Sequence, residues 1–291
     1  MLGQAEEIPT DARIPSRYSP AELTTAMTAP RVSVVVPTLN ESRNLPHVFA
    51  KLPSWIYEVV LVDGNSTDGT VEIARQLFPD VRIVGQTRRG KGNALACGFE
   101  ACRGDVIVML DADGSANPEE IEIFVDALVE GADFAKGSRF LEGGGSSDIT
   151  LTRRLGNWFL STLVNALYGT AYSDLCYGYN AFWRHCLPHI EIDCDGFEVE
   201  TLIHVRAAKA GLVVAEVPSF EHRRIHGVSN LNAFRDGRRV LRTILRERRG
   251  ARRPPATADA RPMPTHVGPV LSAEAIEPQA SELAIELRVV D

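Results

Sequence analysis

Short apolar runs alternate with helical stretches along the first half of this chain, and that alternation restricts the possible fold more than any other feature. Val32-Ser-Val-Val-Val36, Glu58-Val-Val-Leu-Val62, Val81-Arg-Ile-Val84 and Val106-Ile-Val-Met-Leu110 read as strands, followed by the shorter runs Phe134 to Gly137 and Val213 to Val217. Between them, Asn44–Leu52, Thr70–Phe78, Gly92–Cys102 and Pro118–Glu130 carry apolar residues at helical spacing, for example Leu45, Val48, Phe49 and Leu52. Strands joined through helices run parallel and are linked by right-handed crossovers. The expected fold class is α/β, a Rossmann-like, mainly parallel sheet flanked by helices in a single domain. Ligands of such sheets bind beyond the C-terminal strand ends. Pro37, Asp63 and Asp111 each fall at such an end, so three polar motifs converge on one edge.

After Arg139 the pattern changes. Glu142-Gly-Gly-Gly-Ser-Ser147 reads as a flexible loop, Thr152–Tyr168 as an amphipathic helix, Tyr177–Arg184 as a strand or edge element and Val199–Ala210 as a helix. Residues 1–30 lack any sustained period and are expected to form a disordered arm. The folded domain is expected over 31–230, a basic amphipathic helix over 231–249 and a disordered tail over 250–291.

A net charge of −7 over 291 residues excludes a whole-molecule nucleic-acid binder. Charge is uneven, however. Residues 231–253 hold nine arginines against Asp236 and Glu247, whereas the last twenty residues are acidic. Five cysteines without CxxC spacing indicate reduced thiols, which places the expected location in the cytoplasm. The N-terminus shows no signal peptide, and no run reaches the ~20 apolar residues needed to span a bilayer.

The chemistry is concentrated at the strand ends. Asp111-Ala112-Asp113 puts two carboxylates one residue apart at the close of an apolar strand. That set suits Mg²⁺ or Mn²⁺, which keep open positions for water and phosphate oxygens. Its bland alternative is a pair of exposed turn carboxylates. Pro37-Thr38-Leu39-Asn40-Glu41 suits a base and ribose, or equally a helix-entry turn. Asp63 stands where a carboxylate can accept from a base imide, within a run of ordinary turn residues. Arg88-Arg-Gly-Lys91-Gly-Asn93 places cations at a helix start, where backbone N–H groups favour an anion, or forms a solvated basic loop. Arg139 follows a strand and is either a phosphate contact or an ion-pair partner. His222-Arg223-Arg-Ile-His-Gly-Val-Ser229-Asn230 offers cations that can close over a diphosphate.

Taken in order, Val-Val-Val-Pro-Thr-Leu-Asn-Glu41, Asp63-Gly-Asn-Ser-Thr-Asp-Gly-Thr70, Gly90-Lys-Gly92, Asp111-Ala-Asp113, Gly-Ser-Arg139, Asp174 with Gly178-Tyr179, and Gly227-Val-Ser229 resemble family 2 glycosyltransferases of the GT-A fold. Within that family the chain looks most like the dolichol-phosphate-mannose synthase and polyprenyl-phosphate glycosyltransferase type. The resemblance implies that Pro37, Thr38, Leu39, Glu41, Asp63 and Lys91 serve the nucleotide sugar, together with Asp111 and Ala112. It implies that Asp111 and Asp113 bind Mg²⁺ or Mn²⁺, that Asp113, Arg139 and Arg223 act in catalysis, and that Arg154 and Ser229 meet the acceptor phosphate and the diphosphate. Ser115, Leu39 and Asn230 stand where the synthases tend to carry Gln, an aromatic residue and Lys.

The expected reaction is inverting sugar transfer from GDP-mannose or a UDP-hexose to a polyprenyl phosphate, at the inner face of a membrane to which the protein is peripheral. An acceptor phosphate is already ionised and needs positioning more than a base. A hydroxyl acceptor with Glu198 or Asp195 as base is the alternative, and a non-catalytic nucleotide-sugar binding protein a further one.

Overall fold

The computed structural model describes residues 29–228 and 232–250. The expected arm and tail fall almost entirely outside that range, as does Ser229. Seven strands form one sheet: β1 (Val32–Thr38), β2 (Glu58–Asp63), β3 (Arg82–Gly85), β4 (Val106–Met109), β5 (Phe134–Ser138), β7 (Asn180–Trp183) and β8 (Val214–Pro218). A separate pair joins β6 (Gly145–Ser146) to β9 (Phe220–Glu221). The large sheet runs in the order β3-β2-β1-β4-β7-β5-β8, parallel except for β7, which is antiparallel to both β4 and β5.

The unbroken valine runs follow from burial on both faces of the sheet. Val34, Val36, Val59 and Leu61 point into one core, with Phe124 and Leu128 of α4 (Ile121–Val129) above them. Val35, Val60, Val62, Ile107 and Met109 point into the other. There Leu95 and Phe99 of α3 (Lys91–Ala101) and Leu202 and Ile203 of α6 (Val199–Ala210) cover them. The short helices α1 (Leu45–Phe49) and α2 (Thr70–Leu77) pack beside β1 and β2 on the first face. A third cluster unites α5 (Leu151–Tyr168), α6 and α7 (Ala233–Arg249) through Leu160, Val164, Val205, Val240 and Ile244.

Two expectations change in detail. Of the two readings of 177–184, strand or edge element, the strand holds, and it lies inside the sheet. Its residues Asn180–Trp183 fill the gap between β4 and β5, where Ala181 pairs with Val108 on one side and Ala135 on the other. The glycine-rich loop 142–147 is not free either, because Gly145 and Ser146 pair with Phe220 and Glu221. Arg139 anchors this region: its Nε donates to Asp174 at 2.7 Å and its Nη1 to Glu221 at 3.0 Å.

Candidate active site

The ends of β1, β2 and β4 lie at one sheet edge, and the loops after β1, β3 and β4 bound a cavity of about 950 Å³. Pro37, Thr38 and Leu39 line one end of it, with Gln86 and Arg89. Thr38 Oγ1 donates to the Val62 carbonyl at 3.2 Å, which holds the loop to β2, while Leu39 stays half exposed. Asn40 adopts φ 60°, and its side chain accepts from Thr67 N–H at 2.8 Å. Such a left-handed turn suits asparagine. Asp63 is spent locally, accepting from the N–H groups of Asn65 and Ser66, both at 3.1 Å, and it does not line the cavity.

Asp111, Ala112 and Asp113 leave β4 into the cavity. Ala112 is buried, so the two carboxylates flank an apolar anchor. Lys91 reaches Asp111 at 2.7 Å and Glu200 at 2.8 Å. A Cβ on Gly178 would crowd Lys91 Nζ at 2.8 Å and the Asp111 and Glu200 carboxylates at 3.3 Å, so glycine there clears room for this triad. Burial disfavours the Lys91 ammonium, but the two carboxylates override it and hold the group above the ordinary lysine value. Burial also lifts the Glu200 carboxyl above its usual range, against the pull of Lys91.

Asp113 faces a different cation. Its Oδ2 lies 3.2 Å from Arg224 Nη2, and Arg224 Nη1 donates to Glu41 Oε1 at 2.8 Å. Burial works against the Arg224 guanidinium, yet Asp113 and Glu41 raise it above the ordinary arginine value. The chain after β9 is laid along the DxD turn by His222 N–H to Ser115 O at 2.8 Å and Ile225 N–H to Asp113 O at 3.2 Å. Asn44 clamps it from the other side, accepting from His226 N–H at 3.0 Å and donating to His226 O at 3.2 Å. Glu41 takes a bond from Asn44 Nδ2 as well, so both of its oxygens are engaged.

The structure moves two of the expected arginines. Arg223 points away, its Nε donating to Ser147 O at 3.1 Å, and Arg224 takes the place expected of it. The two adjacent side chains part, one toward Ser147 O and the other toward Glu41 and Asp113. Arg154 lies over the Phe140 ring at 5.7 Å, while Arg153, one helical step away, lines the cavity. Arg139 does border the cavity, but its guanidinium is saturated by Asp174 and Glu221 and works as a brace. Glu200 and Gln86 entered no sequence expectation as site residues. Glu200 was hidden within a helix start, and only the distance to Lys91 reveals it.

The candidate bases differ. Asp195 is tied to Arg88 at 2.8 Å on the surface. Glu198 lines the cavity, and its Oε2 is buried with no hydrogen-bond partner among the described residues. One wall is bonded backbone to backbone: Gly92 N–H donates to Asp195 O at 3.0 Å, and a Cβ at Gly92 would run into the Cys194 and Asp195 main chain. The far end of the cavity lies between α5, through Thr152 and Gly156, and α7, through Phe234 and Gly237.

For a divalent cation, Asp111 and Asp113 present hard oxygens to the cavity, and no group of three His, Cys, Asp or Glu side chains forms a closed cage among the described residues. An open two-carboxylate set fits Mg²⁺ or Mn²⁺ whose remaining positions go to water and phosphate oxygens.

The family model for glycosyl transferase family 2 matches residues 33–189. Glycosyltransferase AglJ of Haloferax volcanii is 31% identical over 209 residues, which cover 71% of this chain and 68% of that protein. Polyprenol monophosphomannose synthase of Mycolicibacterium smegmatis is 34% identical, over 69% of this chain and 81% of its own length. Among solved structures, glucosyl-3-phosphoglycerate synthase from Mycobacterium tuberculosis in complex with Mn²⁺, uridine diphosphate and glucosyl-3-phosphoglycerate superposes with a TM-score of 0.59 at 23% identity, over 84% of this chain and 86% of that one. That likeness is one of fold. The chain belongs to glycosyl transferase family 2 and is a glycosyltransferase built on the GT-A fold.

Proposed function

We propose that this glycosyltransferase moves a hexose, with inversion, from a nucleotide diphosphate sugar such as GDP-mannose or a UDP-hexose to a polyprenyl phosphate. The observation that carries the reading is the cavity itself. It runs from the Pro37–Leu39 loop, past two aspartates balanced by Lys91 and Arg224, to a mouth between α5 and α7. A nucleoside fits the first end, a diphosphate the middle and a lipid-borne acceptor the mouth. Similarity to a polyprenol monophosphomannose synthase supports the same acceptor class.

Asp111 and Asp113 would hold Mg²⁺ or Mn²⁺ together with the donor diphosphate, and the ion would supply neutralisation of the leaving group. The chain's own residues do the rest. Arg224 stands within reach of Asp113 and adds a preorganised positive charge where charge develops. Lys91 balances Asp111 and Glu200, so the centre of the cavity carries no unpaired carboxylate pair. Pro37, Thr38 and Leu39 offer backbone and apolar surface to the nucleoside. An ionised phosphate acceptor asks only for alignment with the anomeric carbon. Neither Asp195, tied to Arg88, nor Glu200, tied to Lys91, is free to act as a base. Such an acceptor places the enzyme peripherally at the cytoplasmic face of a membrane. Among the described residues no helix is long and apolar enough to cross one.

The test is incubation with Mn²⁺, a labelled sugar nucleotide and polyprenyl phosphate, followed by organic extraction. Label should enter the lipid phase, and Asp113→Ala should abolish the transfer. Label that reaches only water-soluble acceptors would refute the assignment. The partnerless Glu198 Oε2 favours a second reading, with a hydroxyl acceptor and Glu198 as base. Under that reading Glu198→Gln loses about 10²–10⁴-fold in turnover. Under the phosphate reading it stays within a few-fold.

A further inference from the structure

α5 has two unlike faces. Asn157, Leu160, Ser161 and Val164 are buried, Leu160 and Val164 against α6 and α7 and Asn157 beneath the N–H groups of Leu175 and Cys176. On the opposite side Leu151, Leu155, Trp158 and Phe159 are 72%, 58%, 66% and 54% exposed. Spacings of four, three and one keep these four residues within one stripe of the helix. Thr162 continues the stripe with its hydroxyl turned inward, donating to Trp158 O at 2.8 Å. The helix contains no acidic residue. A monomeric soluble protein rarely leaves a contiguous stripe of this kind uncovered.

α7 supplies the complementary chemistry. Phe234 is 83% exposed and lines the cavity mouth. Arg238 and Arg242 lie on the same side of that helix and take part in no ion pair among the described residues. The acidic residues of α7 face inward: Asp236 is buried, and Glu247 is bound by Arg206 and Lys209 at 2.8 and 3.0 Å. The two helices also leave the mouth in the same direction. Their N-terminal halves both border the cavity, and near their other ends Tyr168 Oη donates to Ile244 O at 2.6 Å.

We infer that α5 and α7 form the surface on which the protein rests on an anionic lipid bilayer, with the mouth of the cavity turned toward the headgroups. Trp158, Phe159 and Phe234 enter the interfacial layer, where amphipathic aromatics settle, and Arg238 and Arg242 meet lipid phosphates. The charge pattern selects this occupant. A two-fold contact with a second copy would set arginine rows against each other. The inference deepens the acceptor reading above, since an acceptor could then slide from the leaflet into the cavity, and it rests on that reading only for the orientation of the mouth.

The test is co-sedimentation of the full chain with phosphatidylcholine vesicles, with and without phosphatidylglycerol, in the absence of donor and acceptor. The protein should pellet with the anionic vesicles and be released by high salt. W158S/F159S and R238E/R242E should each weaken partition by roughly tenfold or more, with circular dichroism and thermal unfolding unchanged. The inference is overturned by wild-type protein left in the supernatant, by variants that bind like wild type, or by binding that appears only after deletion of the acidic residues 272–291, which would make that segment the occupant of the face. A wild-type dimer split by W158S/F159S would overturn it in favour of self-association. Vesicle binding without sugar transfer to lipid would refute the proposed acceptor and leave the docking surface standing. Transfer without vesicle binding would do the reverse.

Discussion

Arg224 spans Glu41 and Asp113 at 2.8 and 3.2 Å, so under the proposed reaction its guanidinium is already aimed at the point where the departing diphosphate would gather charge. Replacing Arg224 by Met is expected to lower kcat by about 10²–10³-fold, as loss of one preorganised donor does elsewhere. Arg223→Met, one position away, should change kcat only a few-fold, because that side chain serves the Ser147 carbonyl. Steady-state kinetics of the two variants side by side decides the assignment. Lys91 tests a different property. Lys91→Met leaves Asp111 and Glu200 without their shared cation. Breaking a buried pair costs about 3–5 kcal/mol. The lower end applies here, since solvent reaches Asp111 and Glu200 can take up a proton. Thermal unfolding should show a drop of roughly 6–12 °C. At this scale the sequence exposed residue types and hid their directions. Asp111, Asp113, Pro37 and Leu39 were legible because a strand end fixes where they sit. The Arg223–Arg224 and Arg153–Arg154 pairs were not, because the frame that turns one member inward comes from pairing with distant chain.

α7 is held to the domain by shape as much as by charge. Val240 and Ile244 enter the cluster formed with Leu160, Val164 and Val205, and Glu247 receives Arg206 and Lys209. Ile244 is fully buried, so Ile244→Ala should cost about 2–5 kcal/mol, read from the denaturant midpoint. The helix periods announced α5 and α7 to within two residues, because an amphipathic stripe is a local signal, whereas α6 is buried on nearly every side. Strand neighbours are not local. Nothing in Asn180–Trp183 states that it will enter the sheet between β4 and β5 with reversed polarity. Gly145 and Ser146 carry no alternation at all, and their pairing with Phe220 and Glu221 comes from backbone groups meeting partners.

Across the whole molecule, the Arg139 network joins β5, the Asp174 turn and β9 into one frame around the cavity. Burial alone would raise the Asp174 carboxyl, but the doubly bonded Arg139 guanidinium holds it below its ordinary value of 3.8. A carboxyl depressed in the folded state takes its proton later than in the unfolded chain. Its stabilisation is therefore complete above pH 3.8 and is lost as the pH falls toward the lower folded value. Acid titration followed by circular dichroism should show this loss, and Asp174→Asn, already destabilised near neutrality, should show a shallower decline below pH 4. The α/β class and the polar sheet edge were legible at this scale because crossover geometry leaves few alternatives. Closure by the chain after β9 was legible from its cations, but its partners Asn44 and Asp113 were not, since they lie more than a hundred positions away.

The contact of Gly92 with the Cys194–Asp195 main chain has a mechanical consequence. It leaves no side chain that could swing aside, so this wall behaves as a fixed jaw. The chain 222–228, which brings Arg224 to the cavity, is instead secured by exchangeable polar bonds to Glu41, Asn44 and Asp113. Any widening of the cavity is therefore expected on the side of Arg224, where bonds that a bound anion would compete for hold the chain.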